Sequence, residues 1–276
     1  MRKELERDER GPRWRRGGSG SSHDAETTAD EAGCVDVQLI AGFQLSLAGQ
    51  PVWLPAGAER TLAFLALHGA RVGRSYVAGC LWPELTEQRA RANLRTALWR
   101  LRGAEGSPVL SDDRSLQLAD GVCVDLYEAR AVARRLLQDP ERTSLSDCRH
   151  EGLAADLLPD WYDDWAAMER ERYRHLRLHA LEAASRRLTL LGKYGEAVQA
   201  AAAAACAEPL RESSHRALIA AYLAEGNVQC ALRQFELFRA LLDRELGLLP
   251  SEQMRAQLEV VRSATGSVRR SLAGAG

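Results

Sequence analysis

The residues best placed to do chemistry in this chain are arginines spaced along one short stretch, Thr86–Arg102, which reads TEQRARANLRTALWRLR. Arg89, Arg91, Arg95, Arg100 and Arg102 stand there against a single acid, Glu87, and the stretch contains no lysine. A guanidinium is a planar fork that bonds two acceptors at once, on a phosphate or on guanine O6 and N7. At about 100° per residue, Ala90, Leu94, Ala97, Leu98 and Leu101 fall on one apolar stripe, so the stretch predicts an amphipathic helix. Arg89, Asn93, Thr96 and Arg100 then form one polar flank, and Arg95, Trp99 and Arg102 the other. The chemistry on offer is recognition by hydrogen bonding and charge. A solvated basic face is the alternative that this stretch, taken alone, leaves open. Trp99 lies about opposite the stripe. It either packs against another part of the chain or meets sugar-phosphate or a thymine methyl, and both readings stand at this point.

Other chemistries find little support. No GxxxxGK[ST], GxSxG or HExxH motif occurs. His175 and His179 have a spacing that could hold a metal, but Arg172, Arg174 and Arg177 crowd them and no third ligand follows from sequence, so surface histidines are expected. Asp163, Asp164, Glu169 and Glu171 could suggest paired carboxylates, yet Arg170 and Arg172 interleave with them and predict helix-surface ion pairs. The six cysteines (Cys34, Cys80, Cys123, Cys148, Cys206 and Cys230) form no CxxC pair, which predicts free cytosolic thiols rather than a zinc site or disulfide framework. No enzyme, no metal and no cofactor is expected.

The elements that must position the arginines follow from pattern. The 276 residues allow about two domains. The formal net charge is −1, so attraction to nucleic acid has to be local. No apolar run approaches the ~18 residues of a membrane helix and no signal peptide is visible, so a cytoplasmic protein with no membrane partner is expected. Residues 1–33 are polar and Gly/Ser-rich, which predicts a disordered tail; its Arg13-Trp14-Arg15-Arg16 block is read as solvated, with loose attraction to DNA as the alternative. From Val35, apolar and polar residues alternate with period two, predicting short antiparallel strands. Helices are expected over Glu59–His68, from a Ser75 N-cap to Pro83, and from a Thr86 N-cap onward. Val109–Leu110 and Leu116–Leu118 flank a turn at Asp112-Asp113-Arg114, a hairpin. Strands, three helices and a hairpin are the order of a winged helix-turn-helix.

From Asp125 the pattern is helical: Leu126–Leu137, Trp161–Leu191, Tyr194–Ala207, Ser213–Glu225, Val228–Glu245 and Ser251–Arg262. Gly192-Lys193-Tyr194-Gly195-Glu196-Ala197 corresponds to Gly226-Asn227-Val228-Gln229-Cys230-Ala231. The offset, 226 − 192 = 34 residues, is the tetratricopeptide period. The expected fold class is therefore an α+β N-terminal winged helix-turn-helix followed by an all-α TPR-like helical repeat domain.

CLWPELTEQRARANLRTALWRLR resembles the DNA-binding segment of the Streptomyces antibiotic regulatory protein family. The stretch from about Val122, with Glu208-Pro209-Leu210-Arg211-Glu212 and Glu245-Leu246-Gly247-Leu248-Leu249-Pro250-Ser251, resembles that family's bacterial transcriptional activation domain. The resemblance covers residues 35 to 262 and is to the small, two-domain form, without a receiver, ATPase or sensor region. It departs at the wing, where Asp-Asp-Arg-Ser stands near a position that commonly carries Gly-Tyr. The domains it implies are a disordered tail (1–33), an OmpR-type winged helix (34–121), the TPR-like activation domain (122–263) and a flexible tail (264–276). It implies a transcriptional activator that binds double-stranded DNA at promoter direct repeats, next to a second protomer, and recruits RNA polymerase holoenzyme, typically at a secondary-metabolite gene cluster. The DNA-binding candidates are Arg89, Asn93, Thr96 and Arg100 for base edges; Arg95 and Arg102 for phosphates; Trp99; and Arg71, Arg74 and Arg114 as weaker backbone contacts. The alternative is a TPR-like protein- or ligand-binding module for which the winged helix is a docking domain.

Overall fold

The structure, a computed structural model, describes residues 35–102 and 107–258. Both expected tails, the Arg13–Arg16 block, Cys34, Gly103, Gly106 and the end of the last expected helix lie outside the described residues. Contacts divide the described chain into two compact units: residues 35–126 with 157–170, and residues 127–156 with 171–258.

The first unit opens with strands β1 (Val35–Gln38), β2 (Gln44–Leu47) and β3 (Gln50–Val52), paired antiparallel in sequence. Three helices follow: α1 (Ala56–His68), α2 (Arg74–Leu81) and α3 (Glu87–Leu101), with a two-residue strand β4 (Val72–Gly73) before α2. Strands β5 (Val109–Ser111) and β6 (Ser115–Leu118) form the hairpin, and β4 joins it to give a sheet of order β4-β6-β5. A further strand, β7 (Val122–Val124), pairs in parallel with β1 and completes a sheet of order β3-β2-β1-β7. This is the winged helix-turn-helix, with a leading sheet. Leu62, Phe64, Leu65, Val77, Leu81, Leu94, Leu98 and Leu116 are buried within it.

Helix starts differ from expectation by a turn or less. α1 begins at Ala56, because the Pro55 carbonyl accepts from the amides of Ala58 and Glu59. α2 begins at Arg74 with Gly73 at its N-cap, so Ser75 lies in the first turn and its hydroxyl instead accepts from Arg91 at 2.8 Å. Thr86 occupies the N-cap of α3, though without a side-chain cap.

Two links that local pattern does not show close this unit. The Asp125 carboxylate, at the start of α4 (Asp125–Gln138), accepts from the backbone amides of Leu39 and Ile40, both at 2.9 Å. Residues 161–163, expected to open a helix from Trp161, are irregular instead, and α6 starts at Asp164 (Asp164–Leu190). The Arg170 guanidinium gathers the carbonyls of Leu157 (2.9 Å), Leu158 (2.5 Å) and Trp161. Trp161 lies tilted beside Phe43 and edge-on to Trp165, Trp165 meets Phe64 edge-on, and Arg60 pairs with Asp163.

The second unit is helical: α4 from Tyr127 on, α5 (Leu145–Cys148), a single 3-10 turn at Glu151–Leu153, α6 from Glu171 on, α7 (Tyr194–Ala207), α8 (Glu212–Glu225), α9 (Val228–Leu246) and helical residues 252–258. The 34-residue repeat recurs in the backbone bonds that close its two turns. Gly192 and Gly226 both take left-handed φ, 70° and 87°. Behind them the Lys193 amide reaches back to the Leu188 carbonyl, and the Asn227 amide to that of Tyr222, both at 2.8 Å. Each bond closes a helix in a Schellman turn, and each turn folds the next helix against the last.

Glu182 is the polar centre of this unit. It is 4 % exposed and accepts from Arg211 Nε (2.8 Å), Ser213 Oγ (2.7 Å) and Ser214 Oγ (2.9 Å). Burial alone would raise its pKa, but these three donors outweigh it and the net shift is downward. A carboxylate depressed in this way adds stability above its ordinary value, 4.5, and loses it as pH falls through the native value. Glu182→Gln is expected to lower the unfolding free energy by about 1–3 kcal/mol at neutral pH and to flatten the loss of stability below ~pH 5. Urea titrations across pH would read both effects, and an acid limb as steep as that of the parent chain would contradict the assignment.

Candidate nucleic-acid interface

The site is built on α3. Its stripe of Ala90, Leu94, Ala97, Leu98 and Leu101 is buried, at 6 % exposure or less. Burying that face leaves Arg89, Arg91, Asn93, Arg95, Thr96, Trp99 and Arg100 exposed on the other, with Arg102 exposed just beyond the helix end. Glu87 pairs with Arg91 one turn on, at 2.6 Å, and supplies an acid in the first turn where the helix dipole favours one.

The hairpin stands beside this helix as a wing, held by Asp112. The Asp112 carboxylate accepts from the Arg114 amide (2.8 Å), the Ser115 amide (2.7 Å) and the Ser115 hydroxyl (2.8 Å), an Asx turn. Those donors, with Arg71 at 3.4 Å, hold the carboxyl down to about 2, so it is charged at any physiological pH. Arg74 ties the wing to the helix pair. Its amide donates to the Arg114 carbonyl at 2.9 Å, and its guanidinium to Ser111 Oγ at 2.6 Å and the Asp112 carbonyl at 3.1 Å. The β4–β6 pairing, Val72 with Leu116 and Gly73 with Ser115, fixes the same junction.

Between α3, the start of α2 and the wing turn lies a cleft of about 720 Å³. Arg74, Arg91, Arg95, Arg102 and Arg114 converge on it, against Asp112 and Asp113. Five cations against two anions leave a local excess of positive charge, 5 − 2 = 3, on a chain whose formal net charge is −1. The structure thus divides the candidates. Arg95 and Arg102 share the cleft with Arg74 and Arg114. Arg89, Asn93, Thr96, Trp99 and Arg100 do not line it and face outward. Thr96 turns its hydroxyl back to the Ala92 carbonyl at 3.2 Å, and the Arg74 guanidinium is engaged by the wing. Arg71 is held by Asp112 and by Gln117 at 3.3 Å. Among the described residues, no intramolecular partner is seen for the side chains of Arg89, Asn93, Arg95 or Arg102. Trp99 is 58 % exposed, and the Arg100 guanidinium lies over its ring, 4.7 Å from the centroid.

Sequence reasoning missed Arg91 as a cleft residue and Asp112 as the frame of the wing. The second was signalled by Asp three residues before Ser in a turn; the first carries no local signal, since the cleft exists only once the wing is folded. Among the described residues no group of three His, Cys, Asp or Glu side chains is placed to hold a metal ion, and the Arg211 guanidinium bonds His179 at 3.0 Å. No described helix is long and apolar enough to cross a membrane.

Comparison with known proteins adds three findings. A family model described as the bacterial transcriptional activator domain matches residues 124–262. The regulatory protein AfsR of Streptomyces griseus is 30 % identical over 240 residues, which is 76 % of this chain and 24 % of AfsR, so the chain spans about a quarter of that relative's length. The solved structure of Mycobacterium tuberculosis EmbR, in complex with a low-affinity phosphopeptide, superposes with a TM-score of 0.69 at 21 % identity, covering 88 % of this chain and 70 % of that one. At that identity the likeness is one of fold.

Asp112→Ala removes the acceptor that three wing donors share. Amide exchange at Arg114 and Ser115 is expected to quicken by about three- to tenfold, with global unfolding unchanged. Unaltered exchange at these two amides would show that the strand pairing alone shapes the turn.

Proposed function

The chain belongs to the bacterial transcriptional activator domain family, which is a family of transcriptional regulators, and from this we propose that it is a cytoplasmic, sequence-specific DNA-binding activator whose α3 enters the major groove. The observation that carries the reading is the convergence of five arginines on one cleft beside an exposed helix face that presents Arg89, Asn93 and Arg100. A phosphate strand running through the cleft would be held by Arg95, Arg102 and Arg114, with Arg91 close by and Arg74 holding the wing in place. The outward flank would then lie along base edges, where Arg suits guanine and Asn suits adenine. Thr96, with its hydroxyl turned inward, has its methyl free for a thymine methyl.

The helical unit supplies the contact to RNA polymerase holoenzyme, in keeping with its family, and exposes Leu246, Leu248 and Leu249 at the end of α9. Promoter direct repeats, a second protomer on the neighbouring repeat and control of a secondary-metabolite gene cluster complete the reading; they rest on the family resemblance. The winged helix (34–121) and the activation domain (122–263) are the working halves. The β1–β7 pairing ties the first residues of the first half to the first residues of the second.

Selection of duplexes by the full chain from a random-sequence library tests this directly. A single motif is expected. Arg100→Ala should flatten one position of it, losing about 1–3 kcal/mol of discrimination there, whereas Arg95→Ala and Arg102→Ala should weaken selected and random duplexes alike and lower the salt slope by about one each. A library that returns no enriched motif, or an Arg100→Ala chain with unchanged preference, would contradict the reading.

A further inference from the structure

An exposed tryptophan in the middle of a polar helix face needs a reason, because its large apolar ring gains nothing from water. Trp99 has no such reason in the core: it is 58 % exposed, on the side of α3 away from the buried stripe. Over its ring lies Arg100, whose guanidinium carbon sits 4.7 Å from the centroid. That distance is within the range in which an aromatic face attracts a cation. Arg100 shows no carboxylate or carbonyl partner among the described residues, in contrast to Arg91, which Glu87 and Ser75 hold in place.

The geometry points to Trp99 as a positioning residue for Arg100: the indole face holds the guanidinium in a fixed orientation, so that it meets a base edge without first losing rotamer freedom. A free arginine side chain samples many rotamers, and part of that freedom must be lost whenever its fork docks. The stack removes that loss before binding. It also shields one face of the guanidinium and leaves the in-plane N–H donors free, which are the ones a guanine O6/N7 pair uses. The inference rests on the DNA-binding reading and deepens it: Trp99 sets how sharply Arg100 discriminates, and needs no base contact of its own.

The test is a double-mutant cycle on the full chain, with a duplex selected by the parent protein as the probe. Trp99→Ala is expected to weaken binding by about three- to tenfold. Trp99→Phe, which keeps an aromatic face, should recover most of that loss. The double variant should bind no worse than Arg100→Ala alone, because removing the platform matters only when there is a guanidinium to hold. In the free chain, labelled with 5-fluorotryptophan, Arg100→Ala should shift the fluorine resonance of Trp99, identified by its absence in Trp99→Phe. Losses that add across the cycle, or a Trp99→Ala chain that binds as the parent does, would overturn the proposal. If no duplex is selected, the DNA reading fails and the proposal fails with it, while the fluorine shift still reports whether the stack exists. A shift without coupling in the cycle overturns the positioning role alone.

Discussion

One burial constraint governs the face this protein offers to a partner. Ala90, Leu94, Ala97, Leu98 and Leu101 must leave water, and a helix that buries them turns every other side chain of the stretch outward. Two of the five are alanines, which lets the helix backbone lie close to its neighbours and the arginines stand well clear of the body. A two-residue slip in the stripe would bury a guanidinium and cost far more than the helix gains from packing. The display of Arg89, Asn93, Arg95, Trp99 and Arg100 is therefore a by-product of the core. It is held there by apolar packing, which salt and pH hardly alter.

The second constraint is the wing. A hairpin of three and four residues is marginal alone, and this one is stabilised at its turn by the Asp112 carboxylate and by Arg74. The acids that form the turn also sit in the arginine cleft. Asp112 therefore offsets some of the positive charge that it helps to assemble. Three of its carboxylate hydrogen bonds go to the turn itself and a fourth to Arg71, so the arginines around it are positioned by one opposing charge. The helical unit uses a different device. Its turns at Gly192 and Gly226 repeat bond for bond, which sets a regular stacking of helices, and buried Glu182 then gives α6 and α8 one register by bonding Arg211, Ser213 and Ser214 together.

Much of this was legible in the sequence where the signal is local. The stripe of α3, the hairpin around Asp112 and the 34-residue repeat all depend on spacing within a few turns of chain, and the structure places them as spacing predicts. What escaped is long-range. Nothing near Arg170 announces that it will collect the carbonyls of Leu157, Leu158 and Trp161, so residues 161–163 read as the start of a helix when they are irregular. Likewise Val122–Val124 read as an approach to the helical half, and its parallel partner β1 lies about 87 residues back. The division of the arginines followed the same rule. Helical geometry separated two flanks, but only the folded wing shows that the flank of Arg95 and Arg102 borders the cleft, and that Arg91 does too.

We propose that α3 enters the major groove while the arginine cleft beside the wing holds a phosphate strand, and hydroxyl-radical footprinting of the purified chain on the intergenic DNA of its own gene neighbourhood tests this most directly. The expected result is short protected tracts on both strands, about one helical turn apart within a pair, which fade as salt is raised. Uniform cleavage at low salt across every intergenic segment would contradict it.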